Sequence, residues 1–391
     1  MAVPTPKQVI ASIPMRIIIQ KSLFALYLAL CGSLVVAQER EAIVVAELGP
    51  QVGEQVPDFE LKDQFGETHS LDSIMGPNGA MLLFHRSADW WPYCKAQLVE
   101  LQDQLEELEA QGIGIAAISY DSEEVLSDFA ERRGITFPLL ADDDSAVITD
   151  YGIVNTAAEE GIGENADDPD VQADVARYVS VFGANPMIVG TPYPGTFMIN
   201  SGGEVTSRFF EEFYRERNTT TNVMLKLGVG LSPIAAVEGE TAHLKFTAYP
   251  SNTSVTVGTR FSLALDVEPG PNMHVYAPGA DVKGYQVIGF NLDKPDIARV
   301  EPVEYPASEI YYFEPLDEYV PVYQESFTLL QEIVMDGSAE TEEIMSSRDA
   351  LTLTGTLKYQ ACDDAICFLP QSIPVSFTVD LELPDRQRAN R

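Results

Sequence analysis

Residues 80–111 (AMLLFHRSADWWPYCKAQLVELQDQLEELEAQ) hold the strand, loop and helix that decide the fold of the first part of the chain. The apolar run 80–85 predicts a buried strand, and leucines at helical spacing predict an amphipathic helix over 94–111. Cys94 follows Pro92 at the start of that helix, where free backbone N–H groups and the helix dipole favour a thiolate. A free cysteine is also commonly buried and inert, so a reactive and a structural interpretation of Cys94 both stand.

Outward from this stretch, predicted strands alternate with predicted helices. Residues 113–119 predict a second buried strand, 122–133 a second helix, and 196–210 a closing hairpin. Shorter elements are expected at 56–61, 137–141 and 145–151. Strands separated by helices predict an α/β domain with a mostly parallel sheet that is covered on both faces. The acidic stretch 157–174 interrupts the pattern and predicts an exposed insertion.

Beyond a Gly- and Pro-containing linker at 227–240, the pattern changes to short alternating runs. These runs lie at 243–249, 260–267, 286–292, 324–334, 351–360 and 375–381. Turn residues between them predict an all-β sandwich, and 340–348 is expected to be a brief helix or a loop. The predicted domains are therefore 48–230 and 240–385.

Residues 1–37 have the layout of a secretory signal peptide. They contain no acid and three bases, and the apolar run 23–37 ends in VVA, with small residues where signal peptidase reads. The run of about 15 residues is shorter than the roughly 20 that a membrane-spanning helix needs. We expect a Sec-type route, a mature chain that begins at Gln38, and a secreted or periplasmic location. An uncleaved membrane anchor is the alternative.

The charge of the chain limits its partners. The 24 Lys+Arg and 60 Asp+Glu give a formal net charge of −36. A surface this acidic does not neutralise phosphates, which excludes a general nucleic-acid binder. It also disfavours an anionic membrane surface. We therefore expect neither a nucleic-acid partner nor a membrane partner after signal cleavage.

Three cysteines are expected in the mature chain, because Cys31 lies in the apolar run of the signal. Cys362 and Cys367 are separated by four residues, which permits a disulfide across a tight turn. Such a pair serves redox exchange, or staples the fold, or binds a metal with further ligands. The chain has four histidines, and they are not spaced as a ligand cluster. Neither a metal nor another cofactor is predicted, and Cys94 is left as the odd thiol.

Three stretches of the first part resemble the redoxin/peroxiredoxin (AhpC/TSA-like) branch of the thioredoxin fold. Two are residues 56–63 (VPDFELKD) and 84–95 (FHRSADWWPYCK). The third, residues 193–200 (YPGTFMIN), resembles that fold's cis-proline strand. The resemblance covers roughly residues 50–230. It implies a thioredoxin-like domain in which Cys94 is a peroxidatic or resolving cysteine.

Two positions depart from the pattern of that family. Trp91 stands where thioredoxin-type members carry the first cysteine and where peroxiredoxins carry Thr or Ser, which excludes a dithiol cycle at this site. Pro194 stands where peroxiredoxins carry an arginine. Arg86 and Ser87 are the candidates to replace the missing guanidinium and hydroxyl.

Two further stretches, 359–370 (YQACDDAICFLP) and 273–278 (MHVYAP), resemble the periplasmic N-terminal domain of the disulfide reductase DsbD. The resemblance covers roughly residues 240–385 and implies an immunoglobulin-like fold. It also implies that Cys362 and Cys367 are a redox pair that exchanges electrons with thiol partner proteins. The aromatic stretch 311–319 is either a loop that shields the pair or part of the sandwich core.

Together these features predict a secreted thiol oxidoreductase. In this hypothesis Cys94 attacks a peroxide or a disulfide, and Cys362 with Cys367 returns it to the thiol. The expected partners are thiol/disulfide redox proteins and a peroxide substrate. The alternative is a non-catalytic binding or chaperone-like module with a degenerate redoxin domain and a structural disulfide. Coverage of Cys94 by Trp91 would favour that alternative.

Overall fold

The computed structural model describes residues 44–156, 166–167, 169, 172–173, 175–176, 189–210, 215–229 and 235–389. From Val44 onward the chain forms one compact unit. We refer to 44–210 as the first half, to 215–229 as the connecting segment and to 235–389 as the second half. The predicted signal peptide 1–37 and most of the predicted insertion 157–174 lie outside the described residues.

One mixed sheet organises the described part of the first half. Its strands are β1 (Glu60–Asp63), β2 (Thr68–Ser70), β3 (Ala80–Phe84), β4 (Gly114–Ser119), β5 (Leu139–Ala141), β6 (Gly195–Ile199) and β7 (Val205–Phe210). The strand order is β2-β1-β5-β4-β3-β6-β7. The β3–β4 and β4–β5 pairs are parallel, and the other pairs are antiparallel. The prediction of a mostly parallel sheet is therefore wrong, because a hairpin adds antiparallel strands at each edge.

Helices lie on both faces of this sheet. They are α1 (Leu71–Ile74), α2 (Pro92–Asp103), α3 (Leu105–Ala110), α4 (Glu123–Arg133) and α5 (Ala146–Asp150). The predicted helix over 94–111 is divided at Gln104, and it begins at Pro92, because proline suits the first position of a helix. Met81 and Leu83 pack with α2 and α4, whereas Leu82 packs with α5 on the opposite face. The alternation along β3 therefore supplies both layers of the core.

The second half is built almost entirely of strands. The connecting segment contains β8 (Arg217–Asn218) and α6 (Thr220–Lys226). The second half contains β9 (Val237–Glu240), β10 (Leu244–Pro250), β11 (Ser254–Val255), β12 (Thr259–Pro269), β13 (His274–Tyr276), β14 (Gly289–Leu292), β15 (Ala298–Glu304), β16 (Glu309–Phe313), β17 (Glu318–Tyr323), β18 (Phe327–Met335), α7 (Ala339–Met345), β19 (Ala350–Tyr359), β20 (Ala361–Cys362) and β21 (Gln371–Leu381). Each of the predicted runs contains a strand, and the expected brief helix is α7. Strands β13, β15, β16 and β17 are not foreseen by the alternation.

The strands of the second half form a sandwich. One sheet has the order β15-β18-β12-β10-β9, and a second has the order β11-β21-β19-β14. Phe261 and Leu263 of the first sheet and Leu353 and Phe377 of the second share one buried core. A smaller sheet, β16-β17-β13-β20, lies at one end and carries Cys362.

The two halves share hydrogen bonds and core. Strand β8 pairs in parallel with β12 and so joins the connecting segment to the sandwich. Tyr93 of α2 packs in the core of the second half, and its hydroxyl donates to the carbonyl of Gly337 at 3.0 Å. The ranges 48–230 and 240–385 remain predictions for the domain boundaries. Within the described ranges, no helix has the length and apolarity needed to cross a bilayer.

Candidate functional site

Cys94 is the third residue of α2, as the position of the cysteine after Pro92 predicts. Its backbone N–H donates to the carbonyl of Trp91 at 3.1 Å, which closes the first turn. The backbone N–H of Arg86, just after β3, donates to Cys94 Sγ at 3.4 Å. The thiol is fully buried. A helix N-terminus and a backbone donor thus face a sulfur that is shielded from solvent.

A guanidinium also contacts this thiol. Nη2 of Arg217 lies 3.5 Å from Cys94 Sγ, and Arg217 is buried in β8 of the connecting segment. Arg217 is not predictable from local sequence, because it lies 123 residues beyond Cys94 and no local pattern marks it. The one signal in the sequence is the proline at position 194, because a guanidinium at the thiol must then come from another position.

The candidates named to replace the missing groups have other contacts. Ser87 Oγ donates to Asp121 Oδ1 at 2.8 Å, and the N–H of Ala88 donates to Asp121 Oδ2 at 2.7 Å. Burial raises the pKa of Asp121 to about 6, against the lowering effect of these hydrogen bonds. The Ser87 hydroxyl therefore shapes the loop before Cys94 and does not replace a hydroxyl at the thiol. Arg86 contributes its backbone N–H to the sulfur.

Trp91 is the residue before α2, and Pro194 is the residue before β6. The ring of Trp91 packs against the core of the second half, and the Arg86 guanidinium lies 4.6 Å from the ring centroid. This cation–π contact fixes both side chains above the start of α2. Pro194 is buried next to β6, but the described chain contains no cis peptide bond. The resemblance to a cis-proline strand therefore gives the wrong peptide geometry here.

A second unforeseen residue is His85, the residue after β3. It is fully buried, and neither ring nitrogen has a hydrogen-bond partner among the described residues. Burial lowers the pKa of His85 to about 3, and the charge of Arg217 adds to the effect. His85 is therefore a neutral imidazole in the field of Arg217 at neutral pH.

The end of the described chain covers the loop that leads to Cys94. Arg388 Nη2 donates to Asp89 Oδ2 at 2.6 Å, and the N–H of Ala389 donates to Asp89 Oδ1 at 2.7 Å. Lys95 Nζ donates to the carbonyl of Gln387. We call residues 385–389 the covering segment, because these contacts fasten it over residues 87–95. Both Asp89 and Lys95 are buried beneath it.

The cysteine pair forms a disulfide at the other candidate site. Cys362 in β20 is buried, and Cys367 is half-buried and bonded to it. Tyr276 Oη lies 2.9 Å from Cys362 Sγ and 3.2 Å from Cys367 Sγ. Burial and the nearby Tyr285 raise the pKa of Tyr276, so its hydroxyl stays protonated and donates to sulfur.

The aromatic stretch 311–319 lies partly over the pair. The ring of Tyr311 is 4.5 Å from that of His274, which pairs with Cys362 in the β13–β20 ladder. The Tyr311 hydroxyl donates to Asp364 Oδ1 at 2.8 Å, and Tyr311 packs in the same small core as both cysteines. Tyr312 and Tyr319 are exposed. The contacts of Tyr311 favour the alternative in which this stretch shields the cysteine pair, rather than the one in which it is part of the sandwich core.

Comparison with known proteins gives the family. Residues 52–208 match the family model described as AhpC/TSA family. Peroxiredoxin Bcp of Escherichia coli K12 is 34% identical over 103 residues, which are 26% of this chain and 65% of the relative. The bcp protein of Coxiella burnetii is 30% identical over 104 residues, which are 27% of this chain and 68% of that protein. The chain belongs to the AhpC/TSA family.

The second half has its own match. Residues 244–378 match the model described as thiol:disulfide interchange protein DsbD, N-terminal. The chain is thus an α/β thioredoxin-like AhpC/TSA domain followed by an all-β immunoglobulin-like sandwich. Among solved structures, peroxidoxin BcpB from Mycobacterium tuberculosis has a TM-score of 0.32 and 22% identity, over 42% of this chain and 90% of that one. The chain spans 65% of the length of the E. coli relative.

The AhpC/TSA thiol and the DsbD-like pair lie at opposite ends of the sandwich. Cys94 contacts Arg217, which pairs with Thr259 at the first residue of β12. The other end of β12 pairs with Leu244, and the ring of the adjacent His243 lies 4.3 Å from Phe368, the residue after Cys367. Ten residue steps of about 3.3 Å separate the two ends of β12, or about 30 Å. The structure does not bring Cys94 together with Cys362 and Cys367.

One group in the AhpC/TSA half has the side chains of a metal site. Asp63, Glu67 and His69 bring one ligand atom each within 4.8 Å of one another. The Asp63 carboxylate already accepts hydrogen bonds from the N–H groups of Phe65 and Glu67, at 2.8 and 2.9 Å. These hydrogen bonds explain the carboxylate of Asp63 as part of the turn between β1 and β2. The absence of a metal cofactor stays a prediction.

Proposed function

We propose that the chain is a secreted or periplasmic thiol oxidoreductase in which Cys94 reduces a peroxide. The observation that carries the proposal is the position of Cys94 Sγ in the first turn of α2, with Arg217 Nη2 at 3.5 Å. A helix N-terminus and a guanidinium both favour the thiolate, which is the nucleophile. The peroxiredoxin names of the relatives support a peroxide as the oxidant.

The proposed chemistry begins at sulfur. The Cys94 thiolate bonds to one oxygen of ROOH, the O–O bond breaks, and the leaving alkoxide takes a proton to become ROH. Cys94 is then a sulfenic acid. A thiol attacks this sulfur, a disulfide forms, and the hydroxyl leaves as water with the thiol proton. Attack by a second thiol releases the Cys94 thiolate, so two thiols supply the two electrons.

In this proposal the cysteine pair donates electrons through a carrier protein. About 30 Å of strand lies between the two sites, so Cys362 and Cys367 of one chain are out of reach of Cys94 in this conformation. Reduced Cys362 and Cys367 would pass their electrons to a thiol/disulfide carrier protein, or to Cys94 of another copy. Thiol/disulfide redox proteins are therefore the proposed partners.

The test measures peroxide consumption by the purified chain with dithiothreitol as the reductant. We expect Cys94→Ser to abolish consumption. The Cys362→Ser/Cys367→Ser variant should keep it, because dithiothreitol reduces Cys94 directly. With a thioredoxin-type protein as the only reductant, the double variant should lose it. Consumption that survives Cys94→Ser would refute the proposal.

The second candidate is the non-catalytic binding module. The observation that favours it is the complete burial of Cys94, next to a loop that the covering segment fastens through Asp89. Arg388→Ala removes the ion pair to Asp89, and Arg348→Ala removes an ion pair to Asp296 elsewhere as a control. If Arg388→Ala alone speeds alkylation of Cys94, the segment limits access to a reactive thiol. A Cys94 thiol that is not alkylated in the wild type, in Arg388→Ala or in Arg348→Ala would favour the binding module.

The proposed location rests on the predicted signal 1–37 and on the periplasmic association of the DsbD N-terminal family. The expected N-terminus of the exported protein is Gln38. Mass spectrometry of the intact exported chain measures it. A retained Met1 or Met15 would contradict cleavage after Ala37.

A further inference from the structure

Arg217 is held by groups on both sides of it in the chain. The N–H of Arg217 donates to the carbonyl of Gly258 at 2.9 Å, and Arg215 Nη1 donates to the carbonyl of Gly337 at 2.8 Å. The carbonyl of Asn218 accepts from Gln97 Nε2 of α2 at 3.1 Å. The backbone that carries the guanidinium is thus fastened between the two halves.

Glu216, the residue before Arg217, accepts hydrogen bonds from two arginines of the second half. Its Oε1 accepts from Arg299 Nη1 at 2.5 Å, and its Oε2 accepts from Arg299 Nη2 at 2.8 Å and from Arg260 Nη2 at 2.5 Å. Two parallel N–H···O bonds from one guanidinium give a fixed geometry as well as energy. Burial alone would raise the pKa of Glu216, but Arg299 and Arg260 lower it, so the carboxylate is charged.

The adjacent side chains of Glu216 and Arg217 contact different halves of the molecule. In an extended strand, successive side chains point to opposite faces. Glu216 contacts arginines of β12 and β15 in the second half, and Arg217 contacts the thiol of the first half. Because Glu216 and Arg217 are adjacent, a shift of the backbone at Glu216 would also shift the backbone that carries the Arg217 guanidinium.

We propose that Glu216 is a positioning residue, which holds Arg217 against Cys94 by binding Arg260 and Arg299 of the sandwich. The DsbD-like half thereby completes the thiol site of the AhpC/TSA half. The inference deepens the proposed function and rests on it only for the use of the thiolate. An opposite charge within about 4–6 Å favours the charged form of a group, so the contact of Arg217 Nη2 with Cys94 Sγ can be tested by thiolate formation.

Other charged and titratable groups lie on the segments next to this thiol or are bonded to those segments. They are His85 and Arg86 after β3, Lys95 in α2, Asp89 in the preceding loop, Asp121 after β4, and Arg388 of the covering segment. His85 is neutral and Asp121 is charged above neutral pH, since their pKa values are about 3 and about 6. Asp89 is paired with Arg388. A titration from neutral to alkaline pH therefore reports the thiol without contributions from His85 or Asp121.

The experiment follows the ultraviolet absorbance of the thiolate in the full chain with its disulfide intact. Each variant is measured against the same variant with Cys94→Ser, so that tyrosine ionisation cancels. We expect Glu216→Gln to move the midpoint of thiolate formation upward by about one unit. Glu216→Asp should restore most of the wild-type value. Glu301→Gln is the matched control, because Glu301 also pairs with Arg299 but lies away from Arg217.

A further variant changes an exposed position and is less prone to misfold. Arg299→Gln removes the bidentate partner of Glu216, and the Arg299 side chain is half exposed. This substitution should move the midpoint in the same direction. If Arg217→Ala moves the midpoint but Glu216→Gln and Arg299→Gln do not, Glu216 has no positioning role. If Arg217→Ala also leaves it unchanged, the guanidinium does not act on the thiol and the inference fails. A shifted midpoint without peroxide consumption would uphold this inference and refute the proposed function.

Discussion

Arg217 contacts Cys94 from a segment that follows the last strand of the AhpC/TSA domain, whereas the family places its arginine near Pro194. A charge needs only proximity to act, so an arginine delivered by another element has the same electrostatic effect. The position of Cys94 itself could be predicted, because a proline and a helix start are local features. Arg217 could not, since its contact depends on the pairing of β8 with β12.

Asp121 gives a stability effect with a defined sign. Burial raises its pKa from 3.8 to about 6, so the folded chain binds this proton more tightly than the unfolded chain. Its contribution to the free energy of unfolding is therefore fully present below pH 3.8 and is lost as the pH rises to about 6. Asp121→Asn should remove that decline in urea unfolding measured across this range. The exposed Asp143→Asn should keep it, and a decline that persists in Asp121→Asn would assign it to another group.

Tyr276 should influence the reduction potential of the pair. Its hydroxyl lies within 3.2 Å of both sulfurs, and a hydrogen bond to a thiolate is stronger than one to a neutral sulfur. We expect the native pair to be more oxidising than the roughly −300 mV limit of structural disulfides. Tyr276→Phe should lower the potential by about 20 mV, which corresponds to about 1 kcal/mol.

Glutathione buffers measure both potentials of the Tyr276 experiment. Tyr311→Phe is its control, because the Tyr311 hydroxyl donates to Asp364 and not to sulfur. A native reduction potential below roughly −300 mV would indicate that the pair is a structural disulfide. An equal effect of both substitutions would show that the hydroxyl of Tyr276 has no direct role at the sulfurs.

At the scale of elements, α6 is held by a residue of the first half. Glu100 of α2 accepts from the N–H groups of Thr220 and Thr221, at 2.6 and 3.2 Å, and from Asn252 Nδ2 at 3.3 Å. Burial raises the pKa of Glu100, while these donors oppose the rise. One carboxylate therefore caps α6 and joins it to both halves.

Replacing that carboxylate by an amide should destabilise the chain. Glu100→Gln directs an N–H₂ group toward buried N–H donors, and an unsatisfied buried polar group costs about 1–3 kcal/mol. We expect a decrease of that size in the free energy of unfolding in urea. The exposed Glu106→Gln of α3 should change it little. Equal effects of the two substitutions on the free energy of unfolding would show that Glu100 does not cap α6.

The elements also show which parts of the fold are predictable from sequence. Strands β3 and β4 and helix α4 follow from apolar periodicity, which is a local property. The antiparallel attachment of β6 to β3 is not local, because it pairs Ala80 with Ile199. Strands β16 and β17 carry exposed aromatics such as Tyr312 and Tyr319, so their alternation does not mark one buried face. The covering segment was missed because its contacts, such as Arg388 with Asp89, are made across almost 300 residues.

At the scale of the whole molecule, the separation of the two thiol sites predicts complementation. Cys94→Ser retains the pair, and Cys362→Ser/Cys367→Ser retains Cys94. If electrons leave the pair on a carrier or pass to another copy, a mixture of the two variants should recover peroxide consumption with a thioredoxin-type reductant. Each variant alone is the control. A mixture that stays inactive would indicate transfer within one chain, through a conformation that closes the 30 Å gap of about ten strand residues.

The placement of the two sites at opposite ends has a geometric consequence for assembly. A protein that docks at Cys362 and Cys367 would cover the end of the sandwich around Phe368, whereas the end around Thr259 is paired with Arg217 of the connecting segment. If the proposed partners dock at the two ends, about 30 Å of strand separates their binding sites on one chain. The sandwich would then act as a spacer that holds an electron donor and an electron acceptor in one ternary complex and raises the effective concentration of each for the other.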